Sequence, residues 1–205
     1  AASAQLTIPT RMTSRTHSNW SGSLRLTRGL ATGLTTVLWL LAHSAAGVAG
    51  EHPVPESELW LTYPAQPGAG NGRHVVLIAA DQEYRSEHAM PMLARLLARH
   101  HGFHCTVLFS LNADQKVDPT QKIRWEDKEV THNIPGLEHL AKADLLILFS
   151  RLLSLPDEQL RHFETYLDSG KPLIAIRTAN HGFIEFNYRK DGKRVRFGED
   201  VLGGT

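Results

Sequence analysis

From residue 74 onward the apolar positions fall into short unbroken runs separated by polar or helical stretches. His74-Val75-Val76-Leu77-Ile78-Ala79-Ala80 is continuous, the pattern of a strand covered on both faces. Polar 81–87 follows, then a helix over roughly 88–101 with an apolar face of Met90, Leu93, Ala94, Leu96 and Leu97. Gly102 is its natural stop, and Pro91 fits only in the first turn, so the helix should begin close to His88. A second strand is predicted over 104–109, and 110–133 reads as polar and irregular. A short helix over 134–143 leads into a third buried strand, 144–150. Ser154-Leu155-Pro156-Asp157-Glu158 opens another helix, with proline early and acids in the first turn. Leu160, Phe163 and Leu167 repeat at helical spacing, Gly170 ends the helix, and the fourth strand is 172–176.

Buried strands alternating with helices predict an α/β fold: a doubly wound, mostly parallel sheet with helices on both faces. The rhythm changes after the fourth strand. Residues 186–197 alternate around Asp191-Gly192, a strong signal for a C-terminal β-hairpin, and its exposed edge is heavily basic. The sequence then runs through Val201-Leu202-Gly203-Gly204-Thr205 with no closing element. The expectation is a truncated reading of a longer protein, with the domain at 73–205 incomplete at its C-terminus. No internal repeat is visible.

The region before residue 73 is built differently. Among the 205 residues, 1–50 contain Arg11, Arg15, Arg25 and Arg28 and no acid, while all 21 Asp and Glu lie at Glu51 or later. Residues 51–205 therefore carry a formal charge of −3, from 18 Lys/Arg against 21 acids. Arg25 and Arg28 precede an apolar run at 29–42, and small residues follow up to Gly50. This is the order of a secretory signal peptide, expected over about 12–50 with Met12 as its start. A retained membrane anchor is the competing reading, but a mostly apolar run of about 14 residues falls short of the roughly 20 a spanning helix needs. The expected location is periplasmic or secreted, with no membrane association after cleavage. Residues 51–72, rich in proline and glycine, read as a linker with a brief ordered piece at 59–63.

A single cysteine, Cys105, excludes an intramolecular disulfide and a cysteine-cluster metal site. It lies inside a strand pattern and is most simply core. No basic stripe interleaved with aromatics suggests nucleic acid. His100, His101 and His104 resemble a metal cluster only in print, because adjacent helical side chains do not face one another. Gly68-Ala69-Gly70-Asn71-Gly72 precedes a strand, whereas a phosphate-cradling loop follows one. No cofactor is evident, and metal chemistry would need ligands beyond Thr205 to join His181.

In doubly wound sheets function gathers at the carboxyl ends of the strands. Those ends deliver Asp81, Glu83, Tyr84, Arg85, Glu87 and His88; then Ser150 and Arg151; then Arg177, Thr178, Asn180 and His181. The candidate binding set is Asp81, Arg85, Arg151, Arg177, Thr178 and Asn180, with His181 and Glu83 as candidate catalytic groups. Arginines beside carboxylates can orient a polyol or an anion through forked hydrogen bonds. His181 can act as a proton carrier near neutral pH. The competing reading is structural, since arginine–carboxylate networks also tie neighbouring loops together.

Several stretches in order resemble one family: "LIAADQEYRSE", "PMLARLLARHHGFHCTVLF", "NIPGLEHLAKADLLILFSR", "LPDEQL" and "GKPLIAIRTANHGF". Together they resemble the trehalose-utilisation (ThuA-like) family, in the exported branch of planctomycete-type bacteria, across about residues 74–204. The resemblance implies a class I glutamine amidotransferase-like, flavodoxin-like fold. In those amidotransferases a strand similar to "GKPLIAI" leads into a Cys-x-Gly-His turn. Matched from Gly170, the cysteine position falls on Arg177, the glycine on Ala179 and the histidine on Asn180. A guanidinium stays protonated and cannot be a nucleophile, so glutaminase chemistry is excluded. Thr178 is the only hydroxyl at that turn. The resemblance implies that a carbohydrate, a trehalose-type disaccharide or keto-sugar, is bound or processed at the strand ends. The alternatives are a non-catalytic docking module in a larger exported protein, and a hydrolase using Thr178 or a metal.

Overall fold

The computed structural model describes residues 57–204, which lie within the compact unit Glu51–Thr205. The expected signal peptide and the start of the linker lie outside the described residues. The domain is α/β, with a mixed, mostly parallel five-stranded sheet. The strands are β1 (Trp60–Tyr63), β2 (His74–Ala80), β3 (His104–Phe109), β4 (Leu145–Ser150) and β5 (Leu173–Ala175), in the order β1-β3-β2-β4-β5. β3, β2, β4 and β5 are mutually parallel, and β1 runs antiparallel along β3.

β2 shows why its apolar run has no polar interruption. Val76, Ile78 and Ala80 face one core with Leu160, Phe163 and Tyr166 of helix α2 (Asp157–Asp168). Val75, Leu77 and Ala79 face a second core with Met90, Ala94 and Ala98 of helix α1 (Ser86–His101). A strand alternates its side chains between faces, so two apolar cores demand apolar residues throughout. The segment over 134–143 is a 3-10 helix at Leu137–Lys142 and adds Leu137 and Leu140 to the α2 side.

Three expectations change in detail. α1 begins at Ser86, and the stripe it buries is Met90, Ala94 and Ala98 at four-residue spacing. Leu96, assigned to the apolar face, is 46 % exposed because two residues beyond Ala94 lie on the opposite side of a helix. The ordered piece of the linker is a full edge strand, with Trp60 inward and Leu61 outward. The loop after this strand clasps the end of α1: a Cβ on Gly68 would stand 2.6 Å from the His101 carbonyl carbon, so only glycine fits. The fourth strand shortens to three residues and forms the other edge, leaving Ile174 49 % exposed.

Beyond β5, a short antiparallel pair joins β6 (Arg189–Lys190) to β7 (Lys193–Arg194). Asp191 and Gly192 turn it with φ of 51° and 77°, the left-handed pair that a tight two-residue loop requires. Phe186, Tyr188 and Phe197 bury their rings against the α2 side of the core. Tyr188 donates its hydroxyl proton to Asp168 at the end of α2, which pushes the phenol up to about 12.

Candidate functional site

The parallel strands turn in one direction from β2 to β3 and then cross back over β2 to β4. The crevice outside the carboxyl ends of β2 and β4 is the place where such a sheet ordinarily binds a ligand. Here it is bridged by protein. Glu83, after β2, accepts from Arg151 Nε, after β4, at 2.7 Å. Beneath that pair lies Asp81, 1 % exposed. Its Oδ1 accepts from the backbone N–H of Glu83 at 2.9 Å and of Tyr84 at 3.0 Å. Its Oδ2 accepts from the Thr178 hydroxyl, which also approaches the Ser150 carbonyl at 3.1 Å. The Ser86 hydroxyl closes the turn by accepting from Asp81 N–H and donating to Asp81 O, both at 2.9 Å.

Asp81 therefore joins the ends of β2, β4 and β5 in one buried polar knot. An aspartate just past a strand is suited to this, because its short side chain reaches back to nearby backbone N–H groups. The neighbouring cavity between the ends of β2 and β3 holds only about 20 Å³, room for a single water. The Thr178 hydroxyl donates its proton inside this knot.

The turn after β5 divides the remaining candidates. Arg177 stands at φ 53°, a left-handed conformation that arginine rarely adopts, and starts the 3-10 helix Arg177–His181. Its guanidinium lies 4.0 Å above the ring of Tyr84 and makes no ion pair among the described residues. Three residues on, Asn180 and His181 face away from the knot and line a cavity of about 320 Å³. Its other walls include Phe183, Arg194, Phe197 and Glu199. The volume lies at the lower end of the roughly 300–1,000 Å³ usual for small-ligand sites. Gly182 stands between the two regions, where a Cβ would come within 2.5 Å of Ser150 Oγ.

The eight candidate residues thus separate. Asp81 and Thr178 meet inside the knot, and Glu83 and Arg151 pair above it. Arg85 is turned outward at φ 58° and stands 3.5 Å from Glu87. Only Asn180 and His181 reach the larger cavity. Sequence reasoning missed Phe183, Arg194, Phe197 and Glu199 as its partners. The alternation of Phe186, Tyr188, Val195 and Phe197 was the signal that the segment after this turn packs back onto the core.

Cys105 and the cluster of His74, His104 and His139 behave as packing groups, while His100 and His101 are exposed at the end of α1. Cys105 is fully buried, and burial pushes its thiol up to about 11. At the amino ends of β2 and β3, His74 lies 5.0 Å from His104 and 5.9 Å from His139, ring centroid to ring centroid. Burial, then the neighbouring His104 and His139, lower His74 to about 4. Among the described residues no group of three or more His, Cys, Asp or Glu side chains is placed to hold a metal ion, and no helix is long and apolar enough to cross a membrane. No protein-family model, curated protein or solved structure matches the sequence.

Proposed function

We propose that this chain is an exported ThuA-like domain with the class I amidotransferase-like, flavodoxin-like arrangement, and that it binds a carbohydrate in the cavity lined by Asn180 and His181. One observation carries the reading. A single turn, 177–181, starts from a left-handed residue at the end of a parallel strand and lines a ligand-sized cavity with its last two side chains. A sharp strand-to-helix turn of this kind displays its first residue, as the elbow of a nucleophilic enzyme does. Here that residue is Arg177, so the turn presents a fixed cation and no nucleophile. The cavity combines aromatic wall with Asn180, His181 and two arginines, a mixture suited to the apolar faces and hydroxyl edges of a sugar. A trehalose-type disaccharide or a keto-sugar is the proposed ligand, and His181 is the candidate proton carrier if the sugar is transformed.

Calorimetric titration with trehalose, glucosides and their oxidised forms tests this. Binding that weakens about tenfold in Asn180→Ala and His181→Ala supports it. Binding to the parent that both variants leave unchanged places the ligand elsewhere and overturns the site. Release of ammonia from glutamine is expected to be absent.

The arginine at the displayed position favours a second reading, a non-catalytic docking module whose contact surface is the exposed basic pair β6–β7. A partner retained by the parent and lost on reversing the charges of Lys190 and Lys193 would favour that reading over the first. Sugar turnover by the purified protein would count against it.

A further inference from the structure

We infer that the ligand of the Asn180–His181 cavity carries a negative charge, a carboxylate or phosphate on a sugar-sized body, and that Arg194 receives it. This rests on the cavity chosen above and narrows its ligand from a neutral sugar to an oxidised or phosphorylated one.

The charges around the cavity are unequally satisfied. Arg196 is already committed: its Nη1 lies 2.6 Å from Glu199 Oε2, and its Nη2 donates to Asp200 Oδ1 at 3.0 Å. Its Nε approaches the same carboxylate at 3.3 Å. Glu199 and Asp200 share that one guanidinium, so the trio carries one net negative charge, which the Arg194 guanidinium offsets. Arg194 makes no ion pair or side-chain hydrogen bond among the described residues, yet it lines the same cavity. Its backbone is held in place by pairing opposite Arg189 across the Asp191-Gly192 turn.

The groups beside it reinforce the sign. Arg189 donates from one guanidinium nitrogen to the Gly192 carbonyl, and Lys190 reaches Asp168 only at 3.9 Å. Lys193 is exposed and has no carboxylate partner among the described residues. His181 lines the same cavity. A neutral sugar offers Arg194 hydroxyl acceptors singly, whereas an oxyanion accepts two parallel, charge-assisted N–H bonds from the guanidinium fork, each roughly twice as strong. Phe183 and Phe197 on the adjoining wall fit the apolar face of a ring.

Calorimetric titration of the full chain with glucose, glucuronate, glucose 6-phosphate and inorganic phosphate tests the inference, with Arg194→Gln in parallel. Glucuronate or glucose 6-phosphate should bind at least about tenfold more tightly than glucose, and that preference should shrink about tenfold in Arg194→Gln. It should also weaken as sodium chloride is raised. Comparison of the two sugars separates carboxylate from phosphate. Glucose binding as tightly as both anions, unmoved by Arg194→Gln, overturns the inference and leaves the carbohydrate reading standing. Inorganic phosphate matching glucose 6-phosphate, with loss in Arg194→Gln, keeps Arg194 as an anion receptor and overturns the carbohydrate reading. Neither heat nor a shift of the thermal midpoint with any of the four probes overturns the inference, and the carbohydrate reading is then decided by the trehalose and glucoside titration. Arg194 is exposed, so the variant should keep the parent's thermal midpoint, which guards against a folding artefact.

Discussion

Two polar regions lie side by side at the carboxyl ends of the strands, and they differ in what is left over. Around Asp81, both carboxylate oxygens are met by protein donors, and the adjoining space admits one water. Around Asn180 and His181 there is a cavity of about 320 Å³, and one of its arginines has no partner among the described residues. The first region commits the Asp81 carboxylate to joining three strands, although Ser150 Oγ, Gln82 Nε2 and Glu87 Oε1 beside it are buried without a hydrogen-bond partner among the described residues. The second leaves a guanidinium exposed on a cavity. Polar residues clustered at strand ends are therefore not one site by virtue of clustering; the division follows the space left beside them and the charge not yet paired.

Removing the centre of the closed region should have the largest effect. Asp81→Ala leaves two part-buried backbone N–H groups without their acceptor, and the Thr178 hydroxyl keeps only the Ser150 carbonyl. We expect a loss of about 3 kcal/mol in urea-unfolding stability, since each stranded buried group costs about 1–3 kcal/mol and losses within one network do not simply add. A change under about 0.5 kcal/mol would mean that the knot contributes no more than an exposed polar side chain does. Gly182→Ala comes next, because it drives a Cβ between Ser150 Oγ and the Ala179 carbonyl at 2.5 and 2.8 Å. A cost of about 2 kcal/mol is expected, with the cavity's binding disturbed as well.

Acid provides a control that touches neither region. His74 is depressed in the folded state to about 4 from 6.5, so the unfolded chain binds more protons between those values. Stability from this group is complete above about pH 6.5 and is lost as the pH falls toward 4. The loss should be about 1–2 kcal/mol once the partial exposure of the ring is discounted. The charges that set it are those facing the ring, His104, His139 and Asp144. His74→Gln should flatten the stability profile over this window, whereas an unaltered slope would remove His74 as its cause.

The smallest effect should have the opposite sign. Arg177→Gly relieves a left-handed residue and gives up its approach to Tyr84. A net gain of about 0.5–1 kcal/mol in thermal-unfolding stability is expected, because left-handed strain of about 1–3 kcal/mol exceeds an exposed cation–π contact of about 0.5–1. A clear loss of stability would show that the guanidinium helps hold the turn.

Much of the fold was legible because its strands are buried on two faces. β2 and β4 read as nearly unbroken apolar runs, and β3 as an apolar run interrupted at Thr106. β1 was hidden by its length and by its alternation, with Trp60 in and Leu61 out amid prolines and glycines. The strand-end residues were also legible as a group. Their separation was not, and the cause is backbone geometry. Arg85, Leu152 and Arg177 take φ of 58°, 50° and 53° just past β2, β4 and β5. Arginine and leucine carry no propensity for that conformation, so sequence does not mark where each loop changes direction. The later side chains, Asn180 and His181 among them, point where those turns send them.

The most direct test sets the two regions against each other in one titration. Glucuronate is titrated into the parent, Asn180→Ala and Arg151→Ala, each with its fold checked by circular dichroism. Asn180→Ala should weaken binding about tenfold while Arg151→Ala, which breaks only the pair with Glu83 above the closed knot, stays within about twofold. The reverse pattern, with Arg151→Ala abolishing binding and Asn180→Ala harmless, would place the ligand over the crevice between β2 and β4 and contradict the division drawn between the two regions.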